Sequence, residues 1–474
     1  MKTFTRLHSK FLFGILFLAL LPFGVKAQWT APVNITPHSL GARMNENMGQ
    51  CIVASTDTLH VVWTDKRTHG YALYYRRSID SGSTWGPETL LTDTTDKAEM
   101  PSIAVNGRNL HVVWLDSVKG NPASFYMHST DGGNTWSKPL CIDSNTTFWP
   151  GIAVNTTTVF FSINKAYAPG NSEVFLCRSF DNGNTWGPEI RISNAAGRSE
   201  DQAMIAQGNS IQLDWNDDRS GTMQTYYRRS PDNGATWEPE TALITLGSAY
   251  SPAMAFDSAR SYALNANSSK GFTSWFLISQ DSGKTWGAPS EINPTPQDSS
   301  GGYPYMIAHG KDLFVIYVDL TKYIMYMHSG DGGLTWDPNY MLCSFNKNPA
   351  FNSGFIALTC PTLHAIWLQG PNMYYSKNPT AVSSCSSPTG INVVSNNPAG
   401  ISIYPNPATN STIVSFLTKE GRTVELYDIT GRKVSTVATY SAEYRLDCNN
   451  LSPGIYFIKV STSKGTETRK LVKE

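Results

Sequence analysis

Ser78-Ile79-Asp80-Ser81-Gly82-Ser83-Thr84-Trp85 is one of six copies of a single frame, Ser-x-Asp-x-Gly-x-Thr-Trp. The others span 129–136, 179–186, 230–237, 279–286 and 329–336. The aspartates fall at Asp80, Asp131, Asp181, Asp232, Asp281 and Asp331, so the intervals are 51, 50, 51, 49 and 50 residues. A constant period near fifty without a helical pattern between copies describes one repeat fold, not six domains. The residue types explain a tight hairpin. The carboxylate accepts backbone N–H groups of the turn that follows, and the glycine adopts a positive φ at little steric cost. The threonine hydroxyl bonds back to the carboxylate, and the tryptophan packs between neighbouring sheets. Six equivalent acids suit a structural unit better than an active centre, so these aspartates read as turn staples.

Working outward, each period carries the same short β-rich runs. The second reads Pro101–Val105, Leu110–Trp114, Phe125–Ser129, the box, and Lys138–Ile142. Branched and aromatic residues punctuated by Gly, Asn, Asp and Pro mark strands, and four strands per fifty residues make a propeller blade. A seventh repeat, Gly354–Leu358, Leu363–Trp367 and Met373–Ser376, has three strands and no box. Its missing fourth strand matches Trp29–Thr36, which is similar to Trp85–Thr92. Borrowing that strand closes the ring and removes an open edge. The expected fold is all-β: a seven-bladed β-propeller, six-bladed if the last repeat stays outside the ring, followed by a small Ig-like β-sandwich.

The repeated motif resembles the Asp-box, or BNR repeat, of sialidases and other β-propellers. The resemblance implies that the boxes lie on the face away from the ligand. The ends of the chain add an address. Lys2, Arg6 and Lys10 precede an apolar run, Phe11 to Val25, and Val25-Lys26-Ala27 is a small-x-small cleavage site. Residues 1–27 therefore read as a secretory signal peptide, and no other stretch is long enough to span a membrane. The propeller is expected over 28–378, a Ser/Pro/Asn/Gly-rich linker over 379–400 and a separate β domain over 401–474. That last segment opens with Ile401-Ser-Ile-Tyr-Pro-Asn-Pro-Ala408. It continues through Thr423–Gly431 and Leu451-Ser-Pro-Gly-Ile-Tyr-Phe-Ile-Lys-Val460 and ends on Lys470-Leu-Val-Lys473. It resembles the type A C-terminal sorting domain of the type IX secretion system of Bacteroidetes. This implies the secretion machinery as a partner and a secreted or outer-membrane surface-attached protein of a Gram-negative cell.

Composition narrows the partners. The 37 basic and 37 acidic residues cancel, so no global field favours nucleic acid or an anionic membrane. The seven cysteines are scattered singly. Cys51, Cys141, Cys177 and Cys343 fall in blade strands and read as buried small hydrophobes, not as a disulfide framework. No Cys-x-x-Cys or His-x-x-x-His spacing points to zinc, and no cofactor is expected. His60, His111 and His364 share one strand position and read as structural.

Aligning the repeats shows which residues reach the ligand face. The column entering strand one reads Met48, Glu99, Phe148, Glu200, Tyr250, Gly302 and Asn352. The column two residues past the strand-two tryptophan reads Asp65, Asp116, Lys165, Asp217, Asn267, Asp319 and Gln369. Nearby stand Arg67, Arg219, Trp149, Tyr303 and Tyr305. Asp65, Arg67, Trp149, Asp217, Arg219, Tyr250 and Tyr303 are the candidate ligand contacts. The alternative for each Asp/Arg pair is a local ion pair.

Sialic acid carries a carboxylate, so its pocket needs clustered arginines. By register, the family's first triad arginine falls at Met48. Arg67 matches a family arginine after strand two, but Thr68–Leu73 contains no carboxylate to serve as the acid/base. Two readings follow. One is a surface glycan-binding or adhesion propeller whose partners are glycans or glycoconjugates. The other is a glycoside hydrolase, either a divergent exo-α-sialidase or an enzyme using two carboxylates such as Glu99 and Glu200. The missing triad position favours binding.

Overall fold

The computed structural model describes residues 29–382 and 401–473, except for 46–48, 68–69, 93–96, 119, 146, 157, 258, 268–272, 293–301, 320–322, 345–353, 405–407, 417–420, 429–431, 442 and 463–464. The expected signal peptide (1–27), Met48, Asn352 and most of the expected linker lie outside the described residues. The chain forms two compact units, Met1–Pro388 and Thr389–Glu474.

The first unit contains seven four-stranded antiparallel sheets. Blade 1 comprises Ile52–Ser55, Thr58–Asp65, Ala72–Ser78 and Thr89–Leu90, from the innermost strand outward. Blades 2 to 6 repeat this order. Blade 7 runs Gly354–Thr359, Thr362–Gln369 and Asn372–Asn378, and its outer strand is Val33–Asn34 from the other end of the chain. Each innermost strand touches that of the next blade, and Gly354–Thr359 touches Ile52–Ser55, so the ring is closed. The result is a β-propeller. Second strands are covered on both sides by neighbouring blades. This is why Leu110–Leu115 is a continuous buried run and not an alternating one.

The boxes seal the outer hairpins. In blade 2, Thr135 donates its backbone N–H (2.9 Å) and its hydroxyl (2.7 Å) to the two oxygens of Asp131. Ser129 donates to the same carboxylate at 2.8 Å and accepts the Gly133 N–H at 2.9 Å. Asp80, Asp181, Asp232, Asp281 and Asp331 have the same threonine and serine partners. Each box also sits on the blade before it. The Gly133 site has φ +82°, and a Cβ there would lie 2.1 Å from the Tyr75 hydroxyl; at Gly183 (φ +87°) it would lie 1.7 Å from that of Tyr126. The box tryptophan meets the same ring edge-on: Trp136 on Tyr75, Trp186 on Tyr126, Trp286 on Tyr227 and Trp85 on Tyr375, with centroids 5.0–5.2 Å apart. Trp29 takes this place in the boxless blade 7, 5.2 Å from Tyr326. His60, His111 and His364 bond the hydroxyls of Tyr75, Tyr126 and Tyr375 at 2.7–2.8 Å. Burial holds the first two near pKa 4 and the third near 3, so all stay neutral inside the blades.

The second unit is a two-sheet sandwich. Ile401–Tyr404, Ser411–Phe416 and Glu443–Asp447 form one sheet. Lys433–Thr439, Arg422–Asp428, Gly454–Thr462 and Gly465–Lys473 form the other. Val414 and Leu446 from the first meet Val424, Leu426, Ile458, Val460 and Leu471 from the second in one core.

The cysteines divide. Cys51 and Cys177 are buried as small hydrophobes, whereas Cys141 is exposed, because it faces outward from a blade's last strand. Cys343 is only partly buried, and Cys360, outside that group of four, is disulfide-bonded. Among the described residues no helix is long and apolar enough to cross a membrane.

Candidate functional site

The channel opens where the innermost strands begin, and there the strands are irregular. Register slips between Glu99 and Ser102, Phe148 and Gly151, Glu200 and Ala203, Tyr250 and Pro252, and Gly302 and Tyr305. Each slip is a β-bulge with one residue in the left-handed region: Met100 (φ 51°), Trp149 (49°), Asp201 (59°), Ser251 (49°) and Tyr303 (54°). Such conformations cost on the order of 1–3 kcal/mol each and concentrate where a protein binds or reacts. Met100, Trp149, Ser251 and Tyr303 also precede prolines, a context that disfavours helical backbone. Proline suits the next position because a bulge interrupts the ladder and leaves no donor unmet.

The bulges dress the mouth with aromatics. Phe148 and Trp149 are 5.9 Å apart at 46°. Phe148 is 36% exposed and Tyr250 45%, while Trp149 and Tyr303 are half-buried. Tyr305 turns inward, edge-on to Phe355 at 5.2 Å.

The Asp/Arg pairs behave differently. Asp65 is buried and accepts Arg67 Nε at 2.9 Å and the N–H groups of Leu40 and Gly41 at 3.2 Å. Arg67 then reaches Glu88 at 2.5 Å and lies over the Tyr74 ring at 4.2 Å. Blade 4 repeats the arrangement. Asp217 takes Arg219 at 2.6 and 2.7 Å, Ser199 at 2.8 Å and Trp215 Nε1 at 3.1 Å, and Arg219 continues to Glu240 at 2.7 Å. Burial alone would raise the Asp217 carboxyl, but the bonds from Arg219, Ser199 and Trp215 outweigh it and hold it below the usual range. Lys165, in the same column of blade 3, pairs with Asp143 (3.1 Å) and Glu189. These groups are struts from the second strand to the outer edge of their own blade. Their ion pairs and hydrogen bonds are local to the blade.

Glu99 is half-exposed with Arg43 at 3.4 Å. Glu200 is more enclosed, with Arg198 at 3.4 Å, and Arg198 also holds Asp218 at 3.0 Å. Burial raises the Glu200 carboxyl, and neighbouring Asp201 adds to the shift against the pull of Arg198. No hydrogen bond or ion pair joins Glu99 to Glu200 among the described residues.

Beneath the mouth is a cavity of about 90 Å³ bordered by Gln50, Ser102, Trp149, Ser162, Gln202 and Tyr305. It leads to a channel of about 460 Å³ lined by aliphatic side chains such as Val53, Val105, Val154, Ile205 and Leu358 and by the polar Gln207, Tyr305 and His309. Ser162 and Gln202 were not singled out by the sequence. The signal was there: Ser162 stands where blades 1 and 2 have Val62 and Val113. Among the described residues no cluster of three or more His, Cys, Asp or Glu side chains could hold a metal.

The secretion-system C-terminal sorting domain family matches residues 402–474, and the BNR repeat-like domain family matches residues 75–315. No curated protein matches the chain. Among solved structures, the chain is similar to a polysaccharide lyase described as an ulvan lyase, at 8% identity and TM-score 0.49, over 72% of this chain and 95% of that one. It is similar to the sialidase of Trypanosoma rangeli at 9% and 0.41, over 93% and 88%. An α-L-arabinofuranosidase from Fusarium graminearum gives 14% and 0.41, over 57% and 89%. At these values the likenesses say nothing about what this chain acts on. The sorting domain makes it a secreted or cell-surface protein of the Bacteroidetes type IX pathway. With half its length matched and six boxes closing a propeller, the chain belongs to the BNR repeat-like family.

Proposed function

We propose that this is a secreted propeller that recognises glycans at the mouth of its channel, by binding rather than by hydrolysis. The observation that carries the reading is the crown of Phe148, Trp149 and Tyr250, partly exposed at bulged strand entrances above a polar cavity. Aromatic faces receive the C–H faces of sugars, and a few fixed polar groups orient the hydroxyls. The full chain on a glycan array should bind, and Trp149→Ala should weaken its best ligand by about tenfold or more with an unchanged melting curve. Absence of binding to every glycan would defeat the reading.

One observation favours hydrolysis as a second reading: the enclosed Glu200, whose carboxyl burial raises above the ordinary value, has the character of a proton donor. Fluorogenic glycosides decide between the two. Turnover that collapses in Glu200→Gln and follows a carboxylic-acid pH profile would make the protein an enzyme.

A further inference from the structure

The seven blades are nearly equivalent, so places where one blade departs from the rest are informative. At one inner position of strand two, blades 1, 2, 5, 6 and 7 carry Val62, Val113, Leu264, Ile316 and Ile366. Blade 3 has Ser162 and blade 4 has Asp214, opposite Gly151 and Ala203. At the bulge, four blades place a proline (Pro101, Pro150, Pro252, Pro304), whereas blades 1 and 4 place Gln50 and Gln202. Ser162, Gln50 and Gln202 all border the 90 Å³ cavity. Gly151, Ser162, Gln202 and Ala203 border it, and Asp214 lies directly across the strand pair from Ala203.

Two of these groups are unsatisfied. Ser162 is fully buried and Gln202 is 5% exposed, yet Ser162 Oγ and Gln202 Oε1 have no hydrogen-bond partner. The Gln202 orientation is determined by its neighbour. Its amide nitrogen donates to the Trp149 carbonyl at 2.6 Å, so the free atom is the acceptor. Buried polar atoms without partners are costly and call for an explanation. The arginines at the mouth already pair with carboxylates of the protein, Arg43 with Glu99, Arg67 with Asp65 and Glu88, Arg198 with Glu200 and Asp218, Arg219 with Asp217 and Glu240; Arg67 keeps one buried nitrogen, Nη2, without a partner, but none of the four borders the cavity.

We propose that this cavity is a subsite for the uncharged end of a glycan, with Ser162 Oγ and Gln202 Oε1 bonding its hydroxyls and none of these arginines on its wall to hold a carboxylate. The proposal rests on the glycan-binding reading above. An acceptor beside a hydroxyl matches a sugar hydroxyl, which both donates and accepts. A carboxylate offers acceptors only, and would face Gln202 Oε1 with no cation on the wall among the described residues. A volume of about 90 Å³ holds roughly three water-sized groups. It therefore takes an exocyclic hydroxymethyl and a neighbouring hydroxyl, with the ring left on Trp149.

Calorimetric titration of the full chain with lactose, cellobiose, maltose and xylobiose, against 3′-sialyllactose and a glucuronate-terminated disaccharide, tests this. The tightest probe is expected among the uncharged sugars. Ser162→Val and Gln202→Leu should each weaken it about tenfold or more, with melting temperatures no lower than wild type. Tighter binding of either anionic probe overturns the subsite. So does unchanged affinity in both variants when Trp149→Ala loses binding, an outcome that leaves the mouth as the glycan site. If no probe binds, or if Trp149→Ala binds like wild type, the glycan reading falls and the subsite with it.

Discussion

Asp214 shows how much one side chain can reveal in a repeat protein. Its carboxyl is fully buried between its cross-strand neighbours Ala203 and Tyr227, and burial raises its pKa well above the ordinary value against the pull of the Ala203 backbone N–H. A raised carboxyl keeps its proton in the folded state at pH values where the unfolded chain has lost it. Folding therefore binds a proton above pH ~4, and this residue makes stability fall as pH rises from there toward the folded pKa. Asp214→Leu, which restores the aliphatic character of Val62 and Ile316, should raise the melting temperature by several degrees at pH 7 and by little at pH 4. Equal shifts at both values would show that the carboxyl is satisfied. The residue stands out in the aligned repeats, but it lies in the interior of strand two and not at a loop-facing position. Its meaning needed the cavity beside Ala203, and the cavity needs the bulges. Left-handed φ at Trp149 or Tyr303, each ahead of a proline, has no signature in composition or periodicity.

At the scale of the element, the Asp-box was the most legible feature, because its chemistry is local: acceptor, turn glycine, hydroxyl and ring lie within eight residues. What the sequence could not show is that each box is fitted to the blade before it. Two glycines of one box separate these roles. Gly132 has φ +74° with nothing near a would-be Cβ, whereas Gly133 has φ +82° and the Tyr75 hydroxyl at 2.1 Å. Gly132→Ala should cost only the backbone term, about 1 kcal/mol, and Gly133→Ala distinctly more. Equal losses in urea melts would mean that Tyr75 moves aside freely. The boxes also set an acid limit. Hydrogen bonds, the Thr84 hydroxyl first, hold Asp80 near pKa 2, and the corresponding threonine groups hold Asp181, Asp232, Asp281 and Asp331 there too. A depressed carboxyl stabilises above its unfolded pKa and loses that contribution as pH falls through the folded value. The melting temperature should therefore drop steeply between pH ~4 and 2, with a shallower slope in Asp80→Asn. The Asp/Arg pairs were less legible. Register placed Arg67 beyond strand two, but its second partner, Glu88, comes 21 residues later, and only the folded blade joins them.

The whole molecule depends on its two ends meeting. Blade 7 lacks a box and a fourth strand of its own, and the segment 29–36 supplies the strand and, in Trp29, a stand-in for the box tryptophan. Val33 and Asn34 pair with Tyr375 and Tyr374, Thr30 and Ile35 donate to Lys377 and Met373 at 2.9 Å, and the Thr36 hydroxyl accepts the Met373 N–H at 2.7 Å. Trp29 fills the socket on Tyr326 that box tryptophans fill elsewhere. This closure was readable because Trp29–Thr36 is similar to Trp85–Thr92, the outer strand of a complete repeat. Its physical consequence is that no blade is an end. Removing residues 29–36 would bare the edge of Asn372–Asn378, with unpaired N–H and C=O groups that template further strands. The truncated chain should melt several degrees lower and aggregate on warming, as followed by light scattering. Trp29→Ala, which keeps the strand and empties the socket, should lower the melting temperature without that aggregation. A truncated chain that stayed monomeric with the wild-type melting curve would mean that the three remaining strands of blade 7 hold the ring closed by themselves.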